Sequence, residues 1–348
     1  MNKNVHGGDC YRNQIEYDFS ININPLGMPG GCFQAACEGI SLSGRYPDDS
    51  GEELCLALAG KEGISSENIL LGNGAAELIY ALCYSLRPGK ALAAAPCFGE
   101  YERALCASGG KMIYYPLKEE NDFRMDEKFL SAITGEMGLV FLCNPGNPTG
   151  MLIDQELLME TALKCEQKNI WLCVDECFLP FLEKERELTM LGKLEQFPHL
   201  IVLRAFTKIY GMPGLRLGYA CSGNLKLLEK MKNAMQPWNT SIPAQMAGLA
   251  AISDDEKYLE ETRRLIYRER EYLTGELSKE LAEKVYASQA NFLLFKSRKD
   301  LQRLLLKEKI LIRDCSNFEN LSEGFFRIGV RTHQENQELL RRWKRALG

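Results

Sequence analysis

The chain has no apolar run close to membrane-spanning length and no block of like charges. A helix that crosses a bilayer needs about 20 consecutive apolar residues, so no membrane partner is expected. The opening Met1-Asn2-Lys3-Asn4-Val5-His6 lacks the apolar segment of a secretion signal. Nucleic-acid surfaces show a concentrated basic stripe; here the formal net charge is −5, which argues against such a partner. No CxxC pair occurs among the 13 cysteines, which are scattered and mostly lie within apolar runs, as Cys83, Cys143, Cys173 and Cys221 do. They read as reduced, buried thiols, not as disulfides or metal ligands. Low-complexity tracts and internal repeats are also missing. What remains is the composition of an ordinary enzyme, 45% hydrophobic and 26% charged over 348 residues, with room for a substantial core and two subdomains. A cytoplasmic protein acting on a small molecule is the expectation.

Residues 1–31 are loop-like around the stretch Tyr17-Asp18-Phe19-Ser20-Ile21 and suggest an arm lying on something else. A helix is expected around Gly51–Leu58. A short strand, Ile69-Leu70-Leu71, then leads through Gly72-Asn73-Gly74-Ala75-Ala76-Glu77 into a helix that Pro88-Gly89 ends. Strand and helix signals alternate from there: Ala91–Ala95, a helix from about Gly99, Met112–Tyr115, Leu139–Cys143, a helix over roughly 154–169, Ile170–Val174 and Leu200–Leu203. That alternation implies an α/β fold, a mostly parallel sheet flanked by helices. After Tyr219-Ala220-Cys221 the character changes to long helical stretches over 241–283, with short strands at 291–295, 310–313 and 325–330. The expected division is an N-terminal arm with part of the small domain (1–40), a large domain (41–240) and a smaller C-terminal α+β domain (241–348).

In doubly wound sheets, ligands bind beyond the carboxyl ends of the strands. The chemically suggestive residues fall there: Asn147 after 139–143, Asp175 after 170–174, and Lys208 after 200–203. Lys208 stands where a core strand gives way to a Gly- and Pro-rich turn, with Arg216 eight residues on. Two cations brought together call for an anion between them. A partly desolvated lysine can also lose its proton and attack a carbonyl. Pyridoxal phosphate, an aldehyde that carries a phosphate, satisfies both. The glycine-rich turn at 72–77 offers free N–H groups and a helix dipole for that phosphate, although a plain turn reads the same way. Asp175 closes an apolar run, where a carboxylate is costly unless paired; the cofactor's pyridine nitrogen is one partner, and a structural ion pair is another. Asn144-Pro145-Gly146-Asn147-Pro148-Thr149-Gly150 is a tight turn that could aim a side chain at the cofactor's ring oxygen. Phe98 is a candidate to stack on the ring, or simply a core aromatic.

Taken in order, GNGAAEL, NPGNPTG, VDE and TKIYGMPGLRLGY resemble the fold-type I pyridoxal-phosphate enzymes of the aspartate-aminotransferase superfamily, over nearly the whole chain. The resemblance implies Lys208 as the Schiff-base lysine and Asp175 as the partner of the pyridine nitrogen. It sets Asn147 at the ring oxygen and Gly74, Ala75, Ala76, Thr207 and Arg216 around the phosphate. Tyr46, in Arg45-Tyr46-Pro47-Asp48, matches a tyrosine that reaches the neighbouring subunit's phosphate, which implies a homodimer with active sites at the subunit interface. Arg327 matches the arginine that clamps the substrate carboxylate, a role suited to fork–fork pairing. Two positions depart from the pattern: Ala205 stands where many relatives place a phosphate-binding serine, and Phe178 replaces a tyrosine that reaches the ring oxygen.

Within the superfamily the sequence looks like the L-threonine-O-3-phosphate decarboxylases of cobalamin biosynthesis, with the histidinol-phosphate aminotransferases as the alternative. The first likeness rests on His6-Gly7-Gly8, on Asp18-Phe19-Ser20-Ile21-Asn22-Ile23-Asn24-Pro25-Leu26-Gly27, on Phe178 and on Arg327-Ile328-Gly329-Val330-Arg331-Thr332. It implies His6, Asn24 and Arg331 near a phosphorylated amino-acid substrate, with His6 and Arg331 available for its phosphate. A cofactor-binding regulator without turnover is the reading from another class. Such relatives carry a DNA-binding domain ahead of the fold, and the N-terminal residues here show no basic helix-turn-helix pattern.

Overall fold

The computed structural model describes residues 6–253 and 256–347. Its strands are β1 Tyr17–Asp18, β2 Ile69–Gly72, β3 Lys90–Ala95, β4 Lys111–Pro116, β5 Leu139–Cys143, β6 Trp171–Asp175, β7 Leu200–Ala205, β8 Gly218–Ser222, β9 Lys284–Val285, β10 Phe292–Lys296, β11 Ile310–Leu311, β12 Arg313–Asp314 and β13 Phe325–Gly329. Seven of them form one sheet in the order β2-β8-β7-β6-β5-β3-β4. All neighbours in it are parallel except β8, which runs antiparallel to both β2 and β7. The central strands LVFLC, WLCVD and LIVLRA are almost wholly buried. Helices cover both faces of a parallel sheet, so its strands read as continuous apolar runs without alternation.

The parallel register aligns the strand ends. Cys143 lies opposite Asp175, and Asp175 opposite Leu203, so the residues that follow β5, β6 and β7 emerge on one edge. Gly218 pairs with both Gly72 and Ala205, and a Cβ there would lie 2.7 Å from the Ala75 amide nitrogen. Glycine at this position therefore lets the start of the helix Gly74–Leu86 reach the same edge. Gly74 itself has φ +76°, a conformation that other residues adopt only with strain.

A second sheet, β12-β13-β10-β9, is antiparallel. The strand expected at 310–313 divides. β11 pairs in parallel with β1 of the N-terminal arm, whereas Arg313 and Asp314 join β13. The arm thus lies against the C-terminal part of the chain. The long helical stretch resolves into Ile242–Ser253 and Glu256–Glu280. Sequence periodicity missed the helix Gly30–Ser41, which packs closely enough on Ile242–Ser253 that a Cβ on Gly39 would meet the Pro243 backbone at 2.7 Å. Among the described residues, no helix is long and apolar enough to cross a membrane.

Candidate active site

A cavity of about 400 Å³ opens at the shared strand edge, beneath the N-terminal arm and against the antiparallel sheet. Ten of the expected residues line it: His6, Ala75, Ala76, Phe98, Asn147, Asp175, Thr207, Lys208, Arg216 and Arg327. Lys208 sits on the single turn Phe206–Ile209 after β7. Its ammonium has no hydrogen-bond or ion-pair partner among the described residues. Burial, aided by the positive charges of Arg327 and Arg216, lowers its pKa to about 8. At pH 7 about a tenth of such lysines are neutral.

Asp175 is buried at the end of β6. One carboxylate oxygen accepts the Cys177 amide at 3.0 Å, and the other accepts the Tyr101 hydroxyl at 2.7 Å. Strand alternation turns the next residue, Glu176, to the other face. There it meets Arg204 at 2.9 Å, so the adjacent carboxylate carries the structural ion pair and Asp175 does not. Arg216, itself at φ +60°, lays its guanidinium over Gly74 and on the Asn73 carbonyl. No side chain caps the helix that starts at Gly74, so its first N–H groups keep their capacity to bind an anion.

Arg327 is buried. It donates to the Asn147 side-chain oxygen and, at 3.1 Å, to the Ser20 carbonyl, while its Nε has no partner. Burial pulls its pKa down to about 10. Directly across the strand pair lies Arg313, also buried and also lining the cavity. Arg313 donates to the Asp314 carbonyl and the Asn317 side chain, and it stacks over Phe318 at 5.1 Å. Neither arginine has a carboxylate partner among the described residues. Like charges directly opposite on paired strands are destabilising, so this wall is built to receive anions. Arg313 and Tyr101 were not singled out in the sequence.

Four expected residues lie outside the lining: Gly74, which sits under the Arg216 guanidinium at the start of its helix, and Asn24, Arg331 and Tyr46. Asn24 is buried behind the Lys208 turn, where its Nδ2 donates to the Ile209 carbonyl and the Thr262 hydroxyl at 2.8 and 2.7 Å and its amide N–H to the Lys208 carbonyl at 3.0 Å. It braces the lysine and does not line the cavity. Arg331 follows the end of β13 and pairs with Glu335 at 2.8 Å, outside the cavity lining. Tyr46 is exposed and stacks on Trp238 at 4.2 Å, away from this chain's own cavity. His6 lies at the mouth, 2.9 Å from Glu100. Ala205 and Phe178 both line the cavity, and Phe178 packs edge-on against Phe292. Among the described residues, no group of three or more His, Cys, Asp or Glu side chains could hold a metal ion.

The family model for aminotransferase class I and II matches residues 34–342. The chain belongs to that family. It is 36% identical to the threonine-phosphate decarboxylase of Salmonella typhimurium over 93% of this chain and 89% of that protein. It is 30% identical to the histidinol-phosphate aminotransferase of Methanosphaera stadtmanae over 92% and 87% of the two chains. Among solved structures it is similar to the histidinol-phosphate aminotransferase from Clostridium acetobutylicum, with TM-score 0.88, 32% identity, and 94% and 98% of the two chains covered. These relatives carry the fold-type I architecture expected from the motifs.

Proposed function

We propose that the protein is a pyridoxal-phosphate enzyme that decarboxylates L-threonine O-3-phosphate, the step that gives aminopropanol phosphate for cobalamin biosynthesis. The observation that carries this reading is the cross-strand pair Arg313–Arg327, two buried guanidiniums without carboxylate partners on one cavity wall. Threonine phosphate brings a carboxylate and a phosphate, one for each. Histidinol phosphate brings a single anion and would leave one guanidinium unmatched. The 36% identity to a threonine-phosphate decarboxylase supports the same assignment.

The residues present fit the cofactor. The uncapped helix start at Gly74–Ala76, Thr207 and Arg216 offer donors for its phosphate, and the unpartnered Lys208 would hold its aldehyde carbon. Asp175 would face its ring nitrogen and Phe98 the ring itself. Asn147, free to exchange its bond with Arg327, would donate to the ring oxygen. When bound, pyridoxal phosphate supplies an electron sink for a bond breaking at the substrate Cα. Arg327 orients the carboxylate, Arg313 and His6 take the substrate phosphate, and Lys208, in its protonated form, delivers a proton to Cα and is left as the neutral amine. Tyr46 reaches the same site of a second copy, which makes the working unit a homodimer, and we place that dimer in the cytoplasm.

The test is incubation of cofactor-loaded protein with O-phospho-L-threonine, without keto acid, while carbon dioxide is measured. One carbon dioxide released per substrate consumed is the expected result. No release, together with amino transfer from histidinol phosphate to 2-oxoglutarate, would replace this reading with the aminotransferase.

A further inference from the structure

Tyr101 is almost fully buried on the helix Glu100–Ala107 and does not line the cavity. Its ring is held on two sides, stacked on Phe141 at 4.8 Å and 6° and edge-on to Phe98 at 5.7 Å and 87°. That packing aims the hydroxyl at the end of β6, where it donates to Asp175 at 2.7 Å, with the Cys143 thiol beside it. Asp175 has no ion-pair partner among the described residues; its donors, the Tyr101 hydroxyl and the amide and thiol of Cys177, are all neutral.

Neutral donors satisfy a buried carboxylate without cancelling its charge, whereas an arginine in this place would. We propose that Tyr101 is a positioning residue that fixes the plane of the Asp175 carboxylate toward the cofactor's ring nitrogen. The inference rests on the cofactor reading above. Burial first, and then the Asp175 charge, push the Tyr101 hydroxyl well above its usual range, so it remains a donor throughout the working pH. The other ionisable groups whose charge reaches Asp175 are Cys143 at the end of β5, Cys173 within β6, Cys177 two residues on, and Lys208. Burial raises all three thiols well above their ordinary value, so they stay neutral.

Tyr101→Phe keeps both ring contacts and removes the hydroxyl, with its bond to Asp175 and its contact with the Cys143 thiol. Without it, the Asp175 carboxylate can turn out of line with the ring nitrogen, and a cofactor held less well there would withdraw electrons less strongly from its bond to Lys208. The pH midpoint of the visible absorbance band should then move upward. We expect kcat to fall about tenfold with KM within about twofold, since a hydrogen bond to a charged group contributes about 1.5–3 kcal/mol. Phe141→Leu is the control, because it loosens the ring packing and leaves the hydroxyl; it should lower the melting temperature and move the midpoint less than Tyr101→Phe does. In an Asp175→Asn background, Tyr101→Phe should move the band no further, as two residues acting through one contact are not additive. An unchanged midpoint in Tyr101→Phe, or an equal shift in the Asp175→Asn background, overturns the proposal. A natural-sequence protein that shows no visible band with pyridoxal phosphate overturns the cofactor reading instead, before any variant is made.

Discussion

Arg313→Met tests the two-anion wall most directly. Methionine keeps the apolar stem and removes the guanidinium. Its loss costs the stacking over Phe318 at 5.1 Å, about 0.5–1 kcal/mol for such a contact. It also relieves the cross-strand repulsion with Arg327, which offsets about 0.2–1 kcal/mol. The exposed Asn317 side chain can turn to water. Those two effects nearly cancel, and the lost bond to the Asp314 carbonyl costs about 0.5–1.5 kcal/mol, so the cofactor-free melting temperature should fall by no more than a few degrees. Substrate binding should not be spared. A hydrogen bond to a charged group contributes about 1.5–3 kcal/mol, which at tenfold per 1.4 kcal/mol corresponds to a loss of roughly 10- to 150-fold in kcat/KM. The loss should be confined to phosphorylated substrate. The assay compares O-phospho-L-threonine with threonine in the natural and variant proteins. An equal loss for both, or a loss for neither, would refute the assignment of Arg313 to the substrate phosphate.

Lys208 should load with pyridoxal phosphate at a rate that falls about tenfold per pH unit below its pKa of about 8 and levels off above it, because only the neutral amine reacts; stopped-flow absorbance measures this, and Lys208→Ala should show no visible band. Burial alone would raise the pKa of Glu269, but bonds from Asn336, His333 and Arg268 outweigh it and leave the carboxyl below its ordinary 4.5. A depressed carboxyl contributes stability that is present above the unfolded value and lost as pH falls through the folded one. Melting temperature should therefore decline more steeply below pH 4.5 in the natural protein than in Glu269→Gln. If Tyr46 serves the neighbouring site, co-expressed Lys208→Ala and Tyr46→Ala chains should form hybrid dimers with one intact site. Random pairing then restores roughly a quarter of full activity, and no recovery in purified hybrids removes Tyr46 from the site.

The parts legible in the sequence share one cause. β5, β6 and β7 are continuous apolar runs, and each gives way to polar residues at the edge where parallel strands present their carboxyl ends. Asn147, Asp175 and Lys208 could be placed by that rule without contacts. Tyr101 could not, because its partner lies 74 residues away and is reached from a neighbouring helix. Arg313 was hidden by a strand that reads as one and pairs as two, with β11 taken by the arm and β12 by β13. Asn24 and Arg331 were drawn toward the substrate by motif position alone. Position in a motif does not say which side of the Lys208 turn a side chain occupies, nor that the strand ends at Gly329, leaving Arg331 beside Glu335.

The choice between losing carbon dioxide and transferring an amine lies in a torsion, and the anchor pair bears on that torsion. Only the Cα bond perpendicular to the cofactor ring overlaps its π system. Registered partners on antiparallel strands hold their Cβ atoms about 5 Å apart, and Arg313 and Arg327 are such partners. A substrate bound by both guanidiniums has its carboxylate and phosphate fixed to one wall, and rotation about the Cα–N bond is then no longer free. On the proposed reading, Arg327 clamps the carboxylate in either reaction and a second anchor on the phosphate selects the torsion. The same Lys208, Asp175 and Asn147 would then serve both reactions, and the difference would lie in Arg313, a residue from the smaller sheet.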